Sequence, residues 1–305
     1  MASLPKVLVI ILSWNRKGDT VETIRSLLES VVKGFSLEIL VVDNASTDGT
    51  VEEVRKLFPK AKIIVNQKNL GFAEGNNVGI KYGLAKGFNY IALLNDDTIV
   101  DKNLIKNIFE EHQKYGKAGA ISPKIYFAKG FEFHKNKYKE LERGKVIWYA
   151  GGRMDWKNVY GSNRGVDEVD KGQFDETVET DFATGCFVMY KRKALEQVGL
   201  YDKRFYLYLE DADHAQRMKV VGWKVLYSGK GHLWHKVSQS SGIGSELNDY
   251  YLTRNRMVFG LKYAPLRTKL ALIRESLKLL ISGRKWQKIG IRDYYLGKFG
   301  KGSWK

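Results

Sequence analysis

The stretch Tyr90-Ile91-Ala92-Leu93-Leu94-Asn95-Asp96-Asp97-Thr98 sets an apolar run directly against two adjacent carboxylates. A short continuous apolar run bounded by polar residues reads as a strand buried on both faces. Two acids at the end of such a strand are costly unless a cation neutralises them. Hard divalent ions favour carboxylate oxygens and share them with substrate phosphates, so the pair marks a candidate cation and phosphate site. The plainer alternative is an acidic turn that caps the next helix, but Asp101 already stands where that cap is needed.

The same pattern recurs upstream. Residues 7–12 form an apolar strand that ends in Ser13-Trp14-Asn15. Residues 39–42 form a second, ending in Asp43-Asn44-Ala45-Ser46-Thr47-Asp48-Gly49-Thr50. Residues 63–65 form a third, followed by Asn66 and then Asn69-Leu70-Gly71-Phe72-Ala73-Glu74-Gly75-Asn76-Asn77. Helical spacing fills the intervals. Asp19 and Glu22 mark a helix start ahead of Val21, Ile24, Leu27, Leu28 and Val31, and Thr50 caps a helix through Leu57. A helix over 73–85 precedes the strand at Tyr90, and Asp101 caps one that carries Leu104, Ile105, Ile108 and Phe109, before a strand at 119–121. This alternation predicts an α/β fold, a mixed and mostly parallel central sheet flanked by helices. Ligands of such sheets bind beyond the carboxyl ends of the strands. Asn, Asp, Gly and Ser dominate any loop, yet four successive polar strand ends on one edge make a shared crevice.

The alternation breaks over residues 123–181, which read as short strands and loops extending the sheet edge. Helical spacing returns at 192–198 and 209–221, a strand is expected at 223–226, and helices run from Glu246 to about Gly297. No Gly-x-Gly-x-x-Gly follows the first strand and no Gly-x-x-x-x-Gly-Lys-Ser/Thr occurs, which argues against dinucleotide-binding and P-loop folds.

Composition narrows the class. Hydrophobic residues make up 44% and charged residues 28% of the 305, as in ordinary globular domains. No apolar run is long enough for a membrane span, and residues 7–12 are too short for a signal peptide. Cys186 is the single cysteine, so no internal disulfide can form and a cytoplasmic setting is expected. The net charge of +17 favours an anionic partner. It is concentrated: residues 246–305 hold 14 Lys/Arg against 4 Asp/Glu. There Leu266, Leu270, Ile273, Leu277 and Leu280 recur at helical spacing among Arg267, Lys269, Arg274 and Lys278. Two readings stay open: a helix packed on the core or another subunit, or attachment to an anionic membrane surface.

The ordered set Ser-Trp-Asn, Val-Asp-Asn-Ala-Ser-Thr-Asp-Gly-Thr, Asn-Leu-Gly-Phe-Ala-Glu-Gly-Asn-Asn and Leu-Leu-Asn-Asp-Asp-Thr resembles family 2 glycosyltransferases, in particular the rhamnosyltransferase-like enzymes of surface-glycan synthesis. The resemblance continues through Asp181-Phe182-Ala183-Thr184-Gly185-Cys186 and Gly199-Leu200-Tyr201-Asp202. It then covers the run from Phe205 to Asp213 and reaches Trp234-His235-Lys236-Val237 with Ser240-Ser241. It implies a GT-A fold, to which the charge and helical spacing of residues 246–305 add a basic helical extension. The division expected is 1–122 for the nucleotide-sugar half, 123–245 for the acceptor and catalytic half, and 246–305 for the extension.

The same resemblance implies inverting transfer from a nucleotide-sugar donor, dTDP-rhamnose or a UDP-sugar, to a glycan or lipid-linked acceptor. Asp43 would bind the base, with Ser13 and Asn15 nearby. Asn44, Asn69, Gly71, Asn76 and Asp96 would complete the nucleotide site. Asp97 would hold a divalent metal, Mn or Mg, with His235 at the metal or diphosphate. Asp211 would be the catalytic base, beside Glu210. Asn95 stands where many relatives have a first Asp, which leaves the number of metal ligands from this loop open. Glu74 replaces a frequent Gly.

The chemistry agrees with these roles. Inverting transfer needs a base for the acceptor hydroxyl and a Lewis acid at the leaving diphosphate. Glu210 and Asp211 follow an aromatic run, and an apolar setting raises carboxyl pKa values; a pair of favourable charges at a helix start is the structural alternative. Glu210, His214 and Arg217 read as a structural stripe on one helix face. His232 and His235 lack a second ligand pair for structural zinc. Cys186 reads as a buried apolar residue. Three other readings remain: a sugar nucleotidyltransferase, whose Gly-rich first loop is replaced here by Ser13-Trp14-Asn15; a basic nucleic-acid-binding protein, for which no recognition motif is present; and an inactive relative that only binds carbohydrate, against which Asp97 and Asp211 argue. Nucleic acid is therefore not expected as a partner.

Overall fold

The computed structural model describes residues 4–237 and 245–305; Ser240 and Ser241 lie outside them. Strands β1 (Lys6–Ser13), β2 (Ser36–Asp43), β3 (Lys62–Val65) and β4 (Tyr90–Asn95) alternate with helices α1 (Lys17–Leu28), α2 (Thr50–Leu57) and α3 (Gly71–Ala85). The four strands are parallel in the order β3-β2-β1-β4. Val7 to Ile11 are wholly buried, because helices cover both faces of the sheet.

The short strand β5 (Thr98–Val100) and helix α4 (Leu104–Lys114) lead to β6 (Ala118–Phe127), then to β7 (Ile147–Tyr149), β8 (Gly152–Asp155), β9 (Tyr160–Asn163), β10 (Thr177–Glu179) and β11 (Phe187–Lys191). Strand β11 inserts antiparallel between β4 and β6. Helices α5 (Arg192–Val198) and α6 (Glu210–Val220) precede β12 (Lys224–His235), which runs parallel to β6 and carries β10 and β5 on its other side. Among the described residues ten strands form the main sheet, and β8 pairs with β9 apart from it. Helices α7 (Glu246–Tyr263), α8 (Leu266–Ser282) and α9 (Lys285–Tyr295) complete the described chain.

The expected α/β alternation is present, and residues 123–181 do supply edge strands. Two strands run longer than the pattern indicates. Pro123 does not stop β6, which continues to Phe127. Strand β12 continues nine residues beyond Leu226, with its register shifted between Ser228 and His232 where Gly229 and Gly231 interrupt the apolar run. Helix starts also differ: Gly49 holds the cap position of α2, so Thr50 is its first residue and not its cap, and α3 begins at Gly71 instead of 73. Helix α1 begins at Lys17, which puts Asp19 inside its first turn, and α4 begins at Leu104, with Asp101 accepting from the Asn103 amide at 2.9 Å.

Close packing of α3 on β1 brings its first turn to the strand ends. Gly75, Gly79 and Gly83 face Leu12, Ile10 and Ile91, and a Cβ at any of them would come within 2.7 Å of those side chains. Only glycine permits this approach.

Candidate active site

A cavity of about 410 Å³ opens at the carboxyl ends of the parallel strands. Its walls include Leu12, Ser13, Trp14 and Arg16 after β1, Asn44 after β2, Asn69, Gly71 and Phe72 at the start of α3, and Asn95, Asp96 and Asp97 after β4. The far wall comes from Tyr206, Leu207, Leu247, Lys301, Trp304 and Lys305. Of the residues expected at a nucleotide, Ser13, Asn44, Asn69, Gly71 and Asp96 line this cavity together with Asp97.

The others sit beside or behind it. Asn15 holds a left-handed backbone at φ 54° and accepts from the Thr47 amide at 2.7 Å, fixing the turn after β2. Asp43 is buried; one oxygen accepts from the Ser46 amide at 2.8 Å and the other has no hydrogen-bond partner. Asn76 turns inward and donates to the Phe72 carbonyl at 3.0 Å, so it braces α3 rather than lining the cavity. Glu74 is engaged by Asn77 and Lys81 on the same helix.

The Asp96–Asp97 corner is held from α1. The Thr23 hydroxyl lies 2.9 Å from the Asp96 carbonyl and 2.7 Å from that of Thr98. Counter-charge comes from two directions. Arg16 reaches Oδ2 of Asp97 at 3.0 Å, and Nε2 of His235 lies 3.0 Å from Oδ1. The His235 contact is a buried ion pair. Burial pushes the Asp97 carboxyl up, but His235 and Arg16 outweigh it and its pKa lies below the usual carboxylate value. Burial, then Asp97 itself, raises Asp96 to about 7. Burial opposes a charge on His235, yet the neighbouring Cys186 and Asp97 bring it to about 10. Arg16 was not singled out by sequence; its place immediately after the first strand end was the available signal.

The second carboxylate pair belongs to the start of α6. Glu210 is buried and Asp211 half-buried. Burial raises both, Glu210 further because Asp211 stands beside it and one of its oxygens has no hydrogen-bond partner. Asp211 accepts from the amides of Ala212 at 2.7 Å and Gly185 at 3.2 Å. The next residue, Cys186, accepts through its carbonyl from the Asn95 amide at 2.9 Å. Thr184-Gly185-Cys186 therefore ties Asp211 to the strand that bears Asp97. His214 is structural: burial lowers its pKa to about 3, and Nε2 bonds the Gly199 carbonyl at 2.9 Å. The expected stripe with Arg217 is not formed; Arg217 instead pairs with Asp213 at 2.7 Å.

The loop before Asp211 is strained and clamped. Tyr206, Tyr208 and Leu209 hold φ values of 64°, 71° and 69°, a region costly for residues with a Cβ. Left-handed Tyr206 points its carbonyl at the first turn of α3, accepting from Phe72 at 2.8 Å and Ala73 at 3.1 Å. The buried pair Arg254 and Asn255 on α7 holds the rest. Asn255 donates to the carbonyls of Phe205, Leu207 and Tyr208 at 2.9, 2.8 and 2.9 Å. Arg254 donates to Arg204 and Phe205 at 3.1 and 3.0 Å and to Gly300 at 2.7 Å. Sequence reasoning missed both residues.

The chain is 24% identical over 218 residues to an N-acetylglucosaminyl-diphospho-decaprenol L-rhamnosyltransferase of Mycobacterium tuberculosis, covering 68% of each. It is 24% identical over 240 residues to a poly-beta-1,6-N-acetyl-D-glucosamine synthase of Staphylococcus aureus, covering 77% of this chain and 51% of the synthase. Among solved structures, GalNAc-T7 with UDP, GalNAc and Mn2+ superposes with a TM-score of 0.68 at 17% identity, covering 95% of this chain and 54% of that one. The Pyrobaculum calidifontis mannosyltransferase PcManGT with GDP-Man and Mn2+ gives 0.57 at 15% identity, covering 97% and 75%. The fold is thus GT-A. With residues 8–199 matching the family described as Glycosyl transferase family 2, the chain belongs to that family.

Proposed function

We propose that this glycosyltransferase moves a sugar, with inversion, from a nucleoside-diphosphate donor to a glycan or lipid-linked acceptor in surface polysaccharide or glycoprotein synthesis. The donor sits in the cavity, and dTDP-rhamnose and UDP-hexoses are the leading candidates. The observation that carries this reading is the covalent and hydrogen-bonded continuity from Asp97 through Asn95, Cys186 and Gly185 to Asp211. It sets a phosphate-side carboxylate and a base candidate at one end of one sheet.

Asp211 takes the proton of the acceptor hydroxyl. Its raised pKa suits a group that must accept a proton near neutral pH. Asp43, with a buried oxygen lacking a hydrogen-bond partner, is suited to an N–H of the donor base. Asp97 would hold a divalent ion, Mn or Mg, with His235 at that ion once it has given up the proton it shares with Asp97, or at the diphosphate. The fit is supported by the Oδ1 of Asp97, a buried carboxylate oxygen whose polar neighbour is Nε2 of His235 at 3.0 Å, the pair of atoms a cation would draw on. Among the described residues no group of three or more metal-ligating side chains is assembled, so most ligands would be phosphate oxygens and water. When bound, such an ion supplies Lewis-acid stabilisation to the leaving diphosphate. Arg16, already against Asp97, stands ready to share that negative charge.

The single cysteine, buried, suits a cytoplasmic location. No described helix is long and apolar enough to cross a membrane. Family membership leaves the nucleotidyltransferase and nucleic-acid readings without support.

A thermal-shift series with UDP, dTDP, GDP and their sugars, with and without Mn²⁺, tests the proposal. A nucleotide that binds the folded chain raises the melting temperature by mass action. The metal-dependent part should vanish in Asp97→Ala. A metal-dependent shift that persists in full in that variant removes Asp97 from the metal site.

A further inference from the structure

Helix α8 turns its apolar side outward. Its buried residues are Thr268, Leu272 and Ser276. Leu266, Leu270, Leu277 and Ile281 are 72%, 60%, 54% and 81% exposed, and Ile273 and Leu280 are exposed beside them. Positions 266, 270, 273, 277 and 280 alternate steps of four and three, which aligns them in one stripe. Scattered exposed leucines are ordinary; a continuous apolar row with a polar rim marks an interaction surface.

The orientation of α8 is built in. Leu272 packs where Gly260 of α7 leaves room, since a Cβ there would lie 2.3 Å from its Cδ1. The Ser276 and Tyr295 hydroxyls are 2.7 Å apart. Glu275, the one acid of α8, is held by Arg256 at 3.1 Å. The stripe therefore stays outward, and what flanks it is Arg267, Lys269, Arg274 and Lys278.

Steps averaging 3.5 residues also describe a coiled-coil seam, so a second copy of this chain is one conceivable occupant. The flanks oppose it. Two copies meeting seam to seam would set Arg267, Lys269 and Arg274 against the same residues of the other copy, with no acid to offset them. An anionic bilayer complements both features. Leucines enter the acyl boundary while the long basic side chains reach headgroup phosphates. We propose that α8 docks in the plane of an anionic lipid bilayer, its Leu/Ile row inserted and its Arg and Lys flanks on the lipid phosphates. This surface stands independently of the donor reading.

Flotation of the full chain with vesicles of phosphatidylcholine, alone or mixed with phosphatidylglycerol, tests it. The protein should float with the mixed vesicles at low salt, remain unbound to phosphatidylcholine alone, and be released by salt. Leu270→Glu with Leu277→Glu should abolish binding, and the milder Leu270→Ser with Leu277→Ser should weaken it. Both sites are exposed, so circular dichroism melting should be unchanged. Replacing Arg267, Arg274 and Lys278 by Gln should cost about a hundredfold in vesicle affinity. Nucleotide thermal shifts without vesicles should be the same in every variant, which separates failure here from failure of the donor site. No flotation with phosphatidylglycerol at low salt, or flotation indifferent to the Leu→Glu pair, overturns the proposal. So does a dimer in light scattering that Leu270→Glu dissociates.

Discussion

Asn255 donates its side-chain amide to the Tyr208 carbonyl at 2.9 Å, from a helix 47 positions further along the chain. The same nitrogen serves Leu207 and Phe205, so one buried side chain sets the path of the backbone into Glu210 and Asp211. Left-handed Tyr206, Tyr208 and Leu209 persist only because such contacts over-determine them.

Asn255→Ala removes the side-chain donor from the carbonyls of Leu207 and Tyr208 and one of three donors to that of Phe205, and should cost about 1–3 kcal/mol of stability. Transfer should fall more than donor affinity, because Asp211 shifts while the cavity floor does not. Steady-state kinetics beside donor titration check this; an equal loss in both would mean that the clamp serves folding alone.

Gly71→Ala tests the meeting of α3 with the same loop. Gly71 has φ +78°, and a Cβ there would lie 2.4 Å from the Tyr206 ring. The strain and the clash together should cost about 2–4 kcal/mol. Because Gly71 and Tyr206 both line the cavity, nucleotide binding should weaken too, measurable by calorimetry at a temperature where the variant is folded.

Asp211→Asn keeps shape and removes the base. Donor-induced thermal stabilisation should remain, while transfer should drop by about 10²–10⁴-fold. In the parent enzyme, transfer should rise with pH until Asp211 ionises, above the ordinary carboxylate range because burial raises it. A full-rate Asp211→Asn enzyme would end its assignment as base.

Glu210→Gln tests the buried charge beside it. A raised carboxyl keeps its proton longer in the folded than in the unfolded state, so stability falls as pH rises from the ordinary value of 4.5 toward the elevated one. Each unit of that shift is worth about 1.4 kcal/mol. Denaturation across pH 4–9 should show a decline in the parent chain that is shallower in the variant.

The parallel half of the fold was legible because each strand there is a short apolar run closed by polar residues, and each helix between them repeats at helical spacing. The cavity floor was legible for the same reason, since Ser13, Asn44 and Asp96 fall at strand ends. Asn76 was less so: its motif neighbours Asn69 and Gly71 reach the cavity, but its own side chain satisfies a carbonyl four residues back. Arg254 and Asn255 were invisible because no local rule tells what a buried polar pair on a late helix will reach. The far half of β12 was obscured by Gly229 and Gly231. Residues 266–280 showed their periodicity plainly but not its direction, because a repeat alone does not say which side the neighbours occupy.

Leu12 and Ser13 share a cavity with Lys301, Trp304 and Lys305, and that has a consequence for biosynthesis. A ribosome releases the first of these walls long before the last. A nascent chain can complete its parallel strands and carboxylate corner while still tethered, yet this compartment closes only after residues 301–305 emerge and Trp304 settles on Tyr250 and Trp286.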